Sequence, residues 1–374
     1  MKRLVSLLLV GCVLLALAAC GKEPTPADTT AGVDVIVITD DDTTAAPDAT
    51  AAPDTTAAPD TTAAPAVTEY RNPLNGQVLE EPISTRFFAT TINNVSPALP
   101  HKGVSQADIF FEMFVNDYCT RGLAVFSDVS RVSDIGSIRS HRYPFTDLAL
   151  GYDLIVVNAN GSDPVIADMK SSGIDYIRCE MDAQSVGYCY RDSGRRSSGY
   201  SFEHTLFAKG PKLVEAAQSM NYEVTQDGTR DYGMVFSEDA SVSGETANQI
   251  TITFRLNDRT KDTVMTYSAE TDSYVYSQYG KVMTDSNSGG QEAFTNVFVI
   301  LAETYNEGVY HIPVILGSGD GYYAYGGQMV PIKWTRETDN DPFRFTLEDG
   351  TVLTQAVGNN YIAIAPTEST ITAE

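Results

Sequence analysis

DLIVVNANGSDPVIADMKSSGIDYIR, residues 153–178, is the stretch that decides the fold class of the first half of the chain. It opens with a short β-branched run that is typical of a buried strand. Ser162 then offers a helix cap, Pro164 stands in the first helical turn, and Gly173 ends the helix. The predicted elements are strand 153–158, helix 163–172 and strand 174–178. This order is a βαβ unit, which places the first domain in the α/β class.

Short apolar runs around this unit predict further elements. FFATTI, DIFFEMFV and LAVFS are rich in β-branched and aromatic residues, as buried strands are, and KLVEAAQSM places its apolar residues on one helical face. From about Tyr232 the pattern becomes β only, because ITITFRL (250–256) and the runs after it alternate or lie between turns. We therefore expect a mixed α/β (α+β) domain over residues 70–230 and an all-β domain, a small barrel or sandwich, over residues 231–374.

The first twenty residues, MKRLVSLLLVGCVLLALAAC, predict a lipoprotein signal peptide rather than a part of the fold. Leu17-Ala18-Ala19-Cys20 fits a lipobox, so Cys20 is expected to carry the lipid, including palmitate. The alternative is an uncleaved anchor, but its apolar run is at the short limit of the roughly 17 to 25 residues of a membrane span. Both readings place the rest of the chain on the extracytoplasmic face of the cell membrane, tethered there at its N-terminal end.

Residues 21–69 predict a stalk of low sequence complexity. From Thr43 the chain repeats Ala-Ala-Pro-Asp with threonines between, and a tract without large apolar residues cannot offset the entropy of ordering. The stalk holds ten carboxylates and one lysine, and the formal net charge of the whole chain is -24. Such an acidic protein is not expected to bind nucleic acid, which attracts basic surfaces.

Charged residues inside the apolar runs are the first candidate site. Arg139, His141 and Arg142 stand together in GSIRSHRYPF (136–145), a local concentration of cations in an acidic chain. If the runs are strands of one sheet, their charged residues gather at strand ends, where α/β folds usually bind ligands. The candidate ligand-binding residues in these runs are Asp108, Glu112, Arg121, Arg139, Arg142 and Asp147.

Two interpretations of this set remain open. In the first, the guanidinium groups bind a phosphate or carboxylate ligand, and the carboxylates orient them or hold a hard cation. In the second, arginines and carboxylates form an internal network that binds nothing. Arg121, Arg139 and Arg142 together favour the ligand, because neighbouring cations repel unless an anion satisfies them.

Two loops extend the candidate site. The NANGSD loop follows a predicted strand and precedes a helix, whose N-terminus favours an oxyanion. A second loop, CYRDSGRRSSGYS (189–201), and the SFEHTLF run after it form a second candidate rim. One interpretation makes His204 with Glu203 a general acid or base, and the other, which is favoured for the loop, is a solvated surface loop. These loops add Asn158, Gly161, Ser162, Arg191 and His204 to the ligand-binding residues. No catalytic residue is assigned, because the sequence lacks a Gly-x-Ser-x-Gly nucleophile elbow. The glycine-rich GSGDGYYAYGG run (317–327) is expected to be a turn that displays its tyrosines.

Cysteines and histidines indicate no metal site. The four histidines are widely separated and no two stand at zinc-ligand spacing, so a structural zinc site is not expected. No cofactor is expected either, except Mg²⁺ if the chain is the phosphotransferase considered below. Beyond the signal, the cysteines are Cys119, Cys179 and Cys189. An oxidising exterior permits a disulfide between the last two, but three buried thiols are slightly favoured because no spacing repeats.

Long strings of this sequence resemble the YerB-like lipoproteins of Gram-positive bacteria. They include NPLNG, INNVSPALPHKGVSQADIFFEMFVNDYCTRGLAVF, IGSIRSHRYPFTDLAL and GYDLIVVNANGS in the first half, and FTNVFVI, GSGDGYYAYGGQMVPIKW and FTLEDGTVL in the second. The resemblance spans about residues 70–366. It implies an extracytoplasmic lipoprotein with two domains, and it carries over no settled activity, so the function rests on the residues.

Three functions are compatible with these observations. The favoured one is a lipid-anchored binding or accessory protein whose arginines hold an anionic component of the cell envelope or wall. The second is an enzyme: the order of elements is similar in outline to LytR-CpsA-Psr phosphotransferases, which hold a polyprenyl pyrophosphate and Mg²⁺ with arginines and aspartates. This sequence departs from them at Ile138, which is followed by Arg-Ser-His-Arg and not by Pro-Arg-Asp. The third is a scaffold whose arginines are purely internal.

Overall fold

The computed structural model describes residues 69–116, 119–183, 187–226 and 228–374, with only the backbone of residues 182 and 183. The predicted signal peptide, Cys20 and the stalk up to residue 68 lie outside the described residues. Residues 65–374 form one compact unit, called the body below. Within the described part of the chain, no helix is both long enough and apolar enough to cross a membrane.

The helices of the described residues are short and all lie in the first half of the body, before residue 220. Helix α1 begins with Pro144 in its first turn and ends at Tyr152, and the following Asp153 adopts a left-handed conformation with φ of 50°. It contains the apolar run around Asp147, which the sequence grouped with the strands. That grouping was wrong, because the proline and the left-handed cap delimit a helix there. The α-helices are α1 Tyr143–Tyr152, α2 Asp163–Ser172, α3 Ser193–Ser197 and α4 Leu213–Ser219.

The strands of the first half match the apolar runs of the sequence to within a few residues. Strands β7 and β8 run parallel with α2 between them, so the βαβ unit is confirmed. The ten strands are β1 Tyr70–Arg71, β2 Val78–Leu79, β3 Phe88–Ile92, β4 Ile109–Asn116, β5 Cys119–Phe126, β6 Ile135–Gly136, β7 Ile155–Asn158, β8 Tyr176–Arg178, β9 Cys189–Arg191 and β10 Leu206–Ala208.

Described residues from 228 onward contain strands and turns without α-helices. The glycine-rich run at 317–327 is mostly strand, which corrects the expected turn. Its Tyr323 is buried and donates to Asn296 Oδ1 at 2.7 Å. The strands are β11 Phe236–Ser237, β12 Glu245–Thr246, β13 Gln249–Leu256, β14 Arg259–Ser268, β15 Ser273–Gln278, β16 Lys281–Val282, β17 Ala293–Phe294, β18 Asn296–Ala302, β19 Thr304–Glu307, β20 Tyr310–Pro313, β21 Gly317–Tyr325, β22 Gln328–Arg336, β23 Arg344–Leu347, β24 Gln355–Ala356, β25 Asn360–Pro366 and β26 Thr370–Ala373.

One large sheet contains strands from both halves. Its main path among the described residues runs β12-β22-β21-β18-β25-β4-β5-β3-β7-β8. The halves meet where β25 pairs in parallel with β4, with Asn360 opposite Ile109. All seven residues of β25 are buried, as expected for a central strand covered on both faces. A strand from near the end of the chain, β25, thus lies in the middle of the large sheet and ties the two halves together.

A second, smaller sheet packs against the first. It has the order β16-β15-β14-β13-β26, with β17 beside β15. Strand β13 buries Ile250, Ile252, Phe254 and Leu256, so the alternation read from ITITFRL is confirmed. These side chains share a hydrophobic cluster with aromatic residues of β4 such as Phe110. The packing brings polar residues of β14 over the centre of the large sheet.

The cysteines correct one expectation. Cys179 and Cys189 form a disulfide with their Cα atoms 5.4 Å apart, so the preference for three thiols was wrong. The chain turns back directly after β8, in the helical turn Cys179–Ala183, and this turn packs beside β9. Cys119 is a free thiol and donates to Asn116 Oδ1 at 3.1 Å.

Candidate functional site: an arginine basin

Three arginines lie at one edge of the large sheet because of how the segment 138–142 is held. Its backbone crosses the carboxyl ends of the parallel strands β3 and β7. Arg139 N donates to Thr91 O at 3.0 Å, and Ala159 N donates to Arg139 O at the same distance. Arg121 lies near the start of β5, which is antiparallel to β3, and therefore comes to the same edge. The carboxyl edge of parallel strands is where α/β sheets usually bind ligands. We call Arg121, Arg139 and Arg142 at this edge the arginine basin.

Arg121 and Arg142 have backbone and aromatic partners instead of carboxylates. Arg121 is only 4% exposed, and its Nη1 donates to Ser140 O at 2.6 Å. Arg142 Nη1 donates to His141 O at 2.7 Å, and its guanidinium lies 5.1 Å from the ring centre of Tyr310. Its Nε, which is buried, has no hydrogen-bond partner. Within the described ranges, no carboxylate oxygen lies within 4.0 Å of a guanidinium nitrogen of Arg121 or Arg142.

The electrostatics of the basin are unfavourable for its own cations. Burial, together with the charges of Arg142 and Arg139, lowers the pKa of Arg121 to about 9. Burial also lowers the pKa of Arg142. His141 does not add to the charge, because burial and the two neighbouring arginines lower its pKa to about 3 and leave it neutral. Its Nε2 pairs with Thr146 Oγ1 at 3.0 Å. The cationic cluster read from the sequence therefore consists of arginines only.

Arg139 differs from the other two because it has a carboxylate partner. Its Nη2 lies 2.6 Å from Glu203 Oε2, and both side chains are partly exposed. Glu203 Oε1 is 3.6 Å from Nε2 of the buried His204, whose Nδ1 accepts from Asn93 Nδ2 at 2.8 Å. Burial lowers the pKa of His204. His204 thus lies at the rim of the basin, as its place in the sequence suggested.

The rim continues through Arg191. Its Nη2 pairs with Glu180, its Nη1 donates to Phe202 O at 2.7 Å, and its guanidinium lies 3.9 Å from the centre of the Phe202 ring. Burial, opposed by Glu180, lowers the pKa of Arg191, and the nearby charge of Arg139 acts in the same direction. The disulfide holds this rim, since Cys179 precedes Glu180 and Cys189 begins the strand that carries Arg191.

The loop after β7 supplies the remaining predicted residues. Asn158 is fully buried; its Nδ2 contacts Met169 Sδ at 3.8 Å and its Oδ1 has no partner. Gly161 has the α2 side chains of Val165 and Ile166 close to where a Cβ would stand, which favours glycine there. Ser162 precedes α2 but makes no capping hydrogen bond; its Oγ accepts from Tyr310 OH at 2.8 Å.

The structure places Asp108 away from the basin. Asp108 precedes β4, and β4 runs antiparallel to β5, with Met113 opposite Arg121. The carboxylate instead accepts from Asn72 Nδ2 at 3.1 Å, Asn75 Nδ2 at 2.5 Å and Ser127 N at 2.6 Å. Burial raises its pKa in spite of these donors. It borders a cavity of about 570 Å³ at the opposite edge of the sheet.

Glu112 is also separate from the basin, because it lies in the interior between the two sheets. It is fully buried and forms an ion pair with Lys261 of β14, whose side chain is 5% exposed. Burial alone would raise the pKa of Glu112, but the Lys261 ammonium and the hydroxyl donors hold it below its ordinary value. The further donors to its carboxylate are Asn94 Nδ2 at 2.9 Å, Thr120 Oγ1 at 2.5 Å, Thr263 Oγ1 at 3.0 Å, Tyr276 OH at 3.1 Å and Tyr361 OH at 2.6 Å.

Asp147 lies on α1 and faces other acids. Burial, with the charges of Asp168 and Asp339, raises its pKa to about 6, although Arg336 opposes the shift. The Arg336 guanidinium donates to the backbone oxygen of Asp147 at 2.6 Å and not to its carboxylate. Of the three predicted carboxylates, none forms an ion pair with an arginine of the basin. The described residues also contain no group of three or more acidic, cysteine or histidine side chains placed to hold a metal ion.

The Asp147 pKa gives a prediction for stability. A carboxyl whose pKa is higher in the folded than in the unfolded chain binds its proton more tightly when folded, so stability falls as pH rises from about 4 to about 6. We expect Asp147→Asn to stabilise the body by about 1–2 kcal/mol at about pH 7.5, less than the full shift implies because the side chain is partly exposed. Urea unfolding at both ends of this pH range checks the sign, because the difference should disappear near pH 4. A variant that is less stable at the higher pH contradicts it.

Several residues of these clusters were not among the predicted ligand-binding residues. Asn93 and Glu203 are close in the chain to predicted site residues. Glu203 was considered only with His204 as a general acid or base, and the polar character of NNV was a usable signal for Asn93. Tyr310 and Lys261 come from the second half and reach Arg142 and Glu112 only through the pairing of distant strands. Nothing local to Tyr310 or Lys261 in the sequence indicates these contacts.

Comparisons with known proteins agree with this architecture. Residues 74–223 match the family model described as "Protein of unknown function (DUF3048) N-terminal domain", and residues 250–362 match the corresponding C-terminal domain. The chain is 25% identical over 299 residues to the "Putative lipoprotein YerB" of Bacillus subtilis strain 168, covering 79% of this chain and 86% of that protein.

A solved structure is similar as well. The crystal structure of the YerB protein from Bacillus subtilis superposes with a TM-score of 0.69 at 22% identity, over 81% of this chain and 99% of that chain. At this identity the likeness is one of fold. The superposed part of this chain is mostly β and includes both matched domains.

Proposed function

The chain belongs to the DUF3048 family, and we propose that it is a membrane-anchored extracytoplasmic lipoprotein. We further propose that it binds an anionic component of the cell envelope in the arginine basin. The anchor is the lipid on Cys20. The first support for it is the lipobox in the sequence, and the second is that a relative carries the name of a lipoprotein. The binding function rests on the basin alone.

One observation carries the binding function: Arg121 is a buried cation whose partner among the described residues is a backbone carbonyl. Burying a charge without a counter-ion is costly, and the charges of Arg139 and Arg142 add to the cost. A phosphate or carboxylate group between the guanidinium groups would remove this cost, and planar guanidinium groups match such oxygens bidentately. The basin therefore has the chemistry of an anion site.

The one carboxylate in the basin does not argue against a ligand. Glu203 pairs with Arg139, but the side chains are 47% and 31% exposed. Exposed ion pairs contribute about 0–1 kcal/mol, so an incoming anion can displace Glu203 at low cost. A purely internal network would instead pair Arg121 and Arg142, the two arginines that have no carboxylate partner in the described part of the chain.

The phosphotransferase alternative has less support. Magnesium and a pyrophosphate would need aspartates or glutamates beside the arginines. Asp108 lies at the opposite edge of the sheet, Glu112 is paired with Lys261, and Asp147 has acids as neighbours. Among the described residues, Glu203 is the one carboxylate paired with an arginine of the basin. We therefore propose binding and not group transfer.

The test is mass spectrometry of lipids and glycans that copurify with the full chain extracted from its membrane. We expect the wild type to carry phosphate-bearing or carboxylate-bearing envelope material, and Arg139→Ala with Arg142→Ala to lose most of it because two of three cations are gone. Arg131→Ala is the matched control, since Arg131 is exposed and pairs with Asp128 outside the basin. Equal amounts of such material on the double variant and the control would refute the proposal.

A further inference from the structure

Phe202 is an exposed aromatic ring at the rim of the basin. It is 57% exposed, although phenylalanine is among the residue types most often buried. It begins the short 3-10 turn Phe202–His204. Its backbone oxygen accepts from Arg191, which also stacks on the ring, and the Arg196 guanidinium lies 5.6 Å from the ring centre. Two cations therefore hold the ring in place while more than half of the residue stays open to solvent.

The ring is tied to the basin by its neighbour in the chain. Glu203 follows Phe202 directly, and its carboxylate pairs with Arg139 at 2.6 Å. A ligand whose anionic group displaces Glu203 from Arg139 would thus bring the rest of its structure against the Phe202 turn. A second aromatic ring, that of Tyr310, lies beside the Arg142 guanidinium, and the Tyr310 hydroxyl donates to Ser162 Oγ. Tyr310 is thus an aromatic ring beside a cation of the basin, and Phe202 is an aromatic ring at its rim, beside Arg191.

The groups around Phe202 limit what could cover it. Arg191 and Arg196 offer only donors, whereas Glu180 and Glu203 offer only acceptors. A sugar ring has hydroxyl groups that both donate and accept, and it has an apolar face of C–H groups that stacks on an aromatic ring. A fatty acyl chain would cover the ring but would leave these polar groups without partners, which is unfavourable.

We infer that the ligand of the basin is an anionic sugar, a pyranose that carries a phosphate or carboxylate group. The inference rests on the anion-binding function proposed above and adds the class of ligand. The anionic group lies among Arg121, Arg139 and Arg142, and the sugar ring stacks on the exposed part of Phe202. Phe202 is thus a residue that determines specificity, and its contact is independent of the charge of the ligand.

The test compares two kinds of anion on the body, residues 65–374, which contains both sheets and both hydrophobic clusters. Inorganic phosphate, glucose 1-phosphate and N-acetylglucosamine 1-phosphate are titrated by calorimetry at one ionic strength. At least one of the sugar phosphates is expected to bind about 10-fold more tightly than phosphate, because stacking on an aromatic ring raises the affinity by roughly this factor. Phe202→Ala should remove this advantage and leave phosphate binding within about 2-fold.

The controls separate the inference from the function on which it rests. Tyr70→Ala removes another exposed aromatic ring, on β1, and should change neither affinity. If phosphate and both sugar phosphates bind equally, or if Phe202→Ala weakens phosphate as much as sugar phosphate, the inference is overturned while anion binding stands. If no anion binds the wild type, the anion-binding function fails and the inference fails with it.

Discussion

Lys261→Met is expected to lower the free energy of unfolding of the body by about 3–5 kcal/mol, the range for removing one partner of a buried ion pair. The substitution leaves the Glu112 carboxylate without its cation in a fully buried position between the two sheets. Hydroxyl and amide groups would still donate to the carboxylate, but they carry no charge. The methionine side chain has a similar length, so lost packing contributes little. Urea unfolding measures the change.

A matched substitution and a double variant complete this prediction. Lys333→Met breaks the exposed cross-strand pair with Asp320 and should cost less than about 1 kcal/mol. Glu112→Gln combined with Lys261→Met removes both charges, so its loss should be smaller than the sum of the two single losses by roughly 2 kcal/mol or more. Similar losses for Lys261→Met and Lys333→Met would contradict the buried ion pair.

Arg121→Met is expected to act in opposite directions on stability and on anion binding. Without ligand, the variant should be more stable by about 1–3 kcal/mol, because it removes a buried cation that Arg139 and Arg142 repel. Its affinity for pyrophosphate should fall by about 30-fold or more, since truncating a buried, charged hydrogen-bonding partner costs about 2 kcal/mol at least. A residue that is unfavourable for folding and necessary for binding has the pattern of a functional site.

Urea unfolding and calorimetry on the same preparations check both signs. Arg131→Met is the control, because the Arg131 side chain is 82% exposed and lies outside the basin. It should change stability by less than about 0.5 kcal/mol and leave pyrophosphate binding as it is. A marked loss of stability in Arg121→Met would instead indicate that Arg121 is a structural residue whose hydrogen bond to Ser140 is its main role.

Local patterns in the sequence predicted the elements that position the basin. The β-branched run before Ser162 and the glycine after the helix were enough for the βαβ unit, because strand periodicity and helix ends are local signals. The concentration of arginines in GSIRSHR likewise indicated the basin without knowledge of the fold. The neutral state of His141 was not foreseeable, since it depends on burial and on the charge of Arg121 from another strand.

The grouping of Asp108 and Glu112 with the arginines failed for a physical reason. Both residues lie in or beside β4, and the sequence does not show the direction in which a strand runs or which strand lies beside it. Because β4 is antiparallel to β5, Asp108 comes to the edge opposite Arg121. Glu112 is paired with a lysine 149 residues further along the chain, which only the packing of the second sheet on the first brings near.

The most direct test of the central claim is a calorimetric titration of the body with inorganic pyrophosphate. The arginine basin predicts saturable binding to one site by the wild type, with an affinity that falls as salt is raised because charges carry it. Arg139→Ala with Arg142→Ala should abolish this binding, and Arg131→Ala should retain it. Binding of equal strength by the double variant, or no binding by the wild type at low salt, would contradict the claim that Arg121, Arg139 and Arg142 form an anion site.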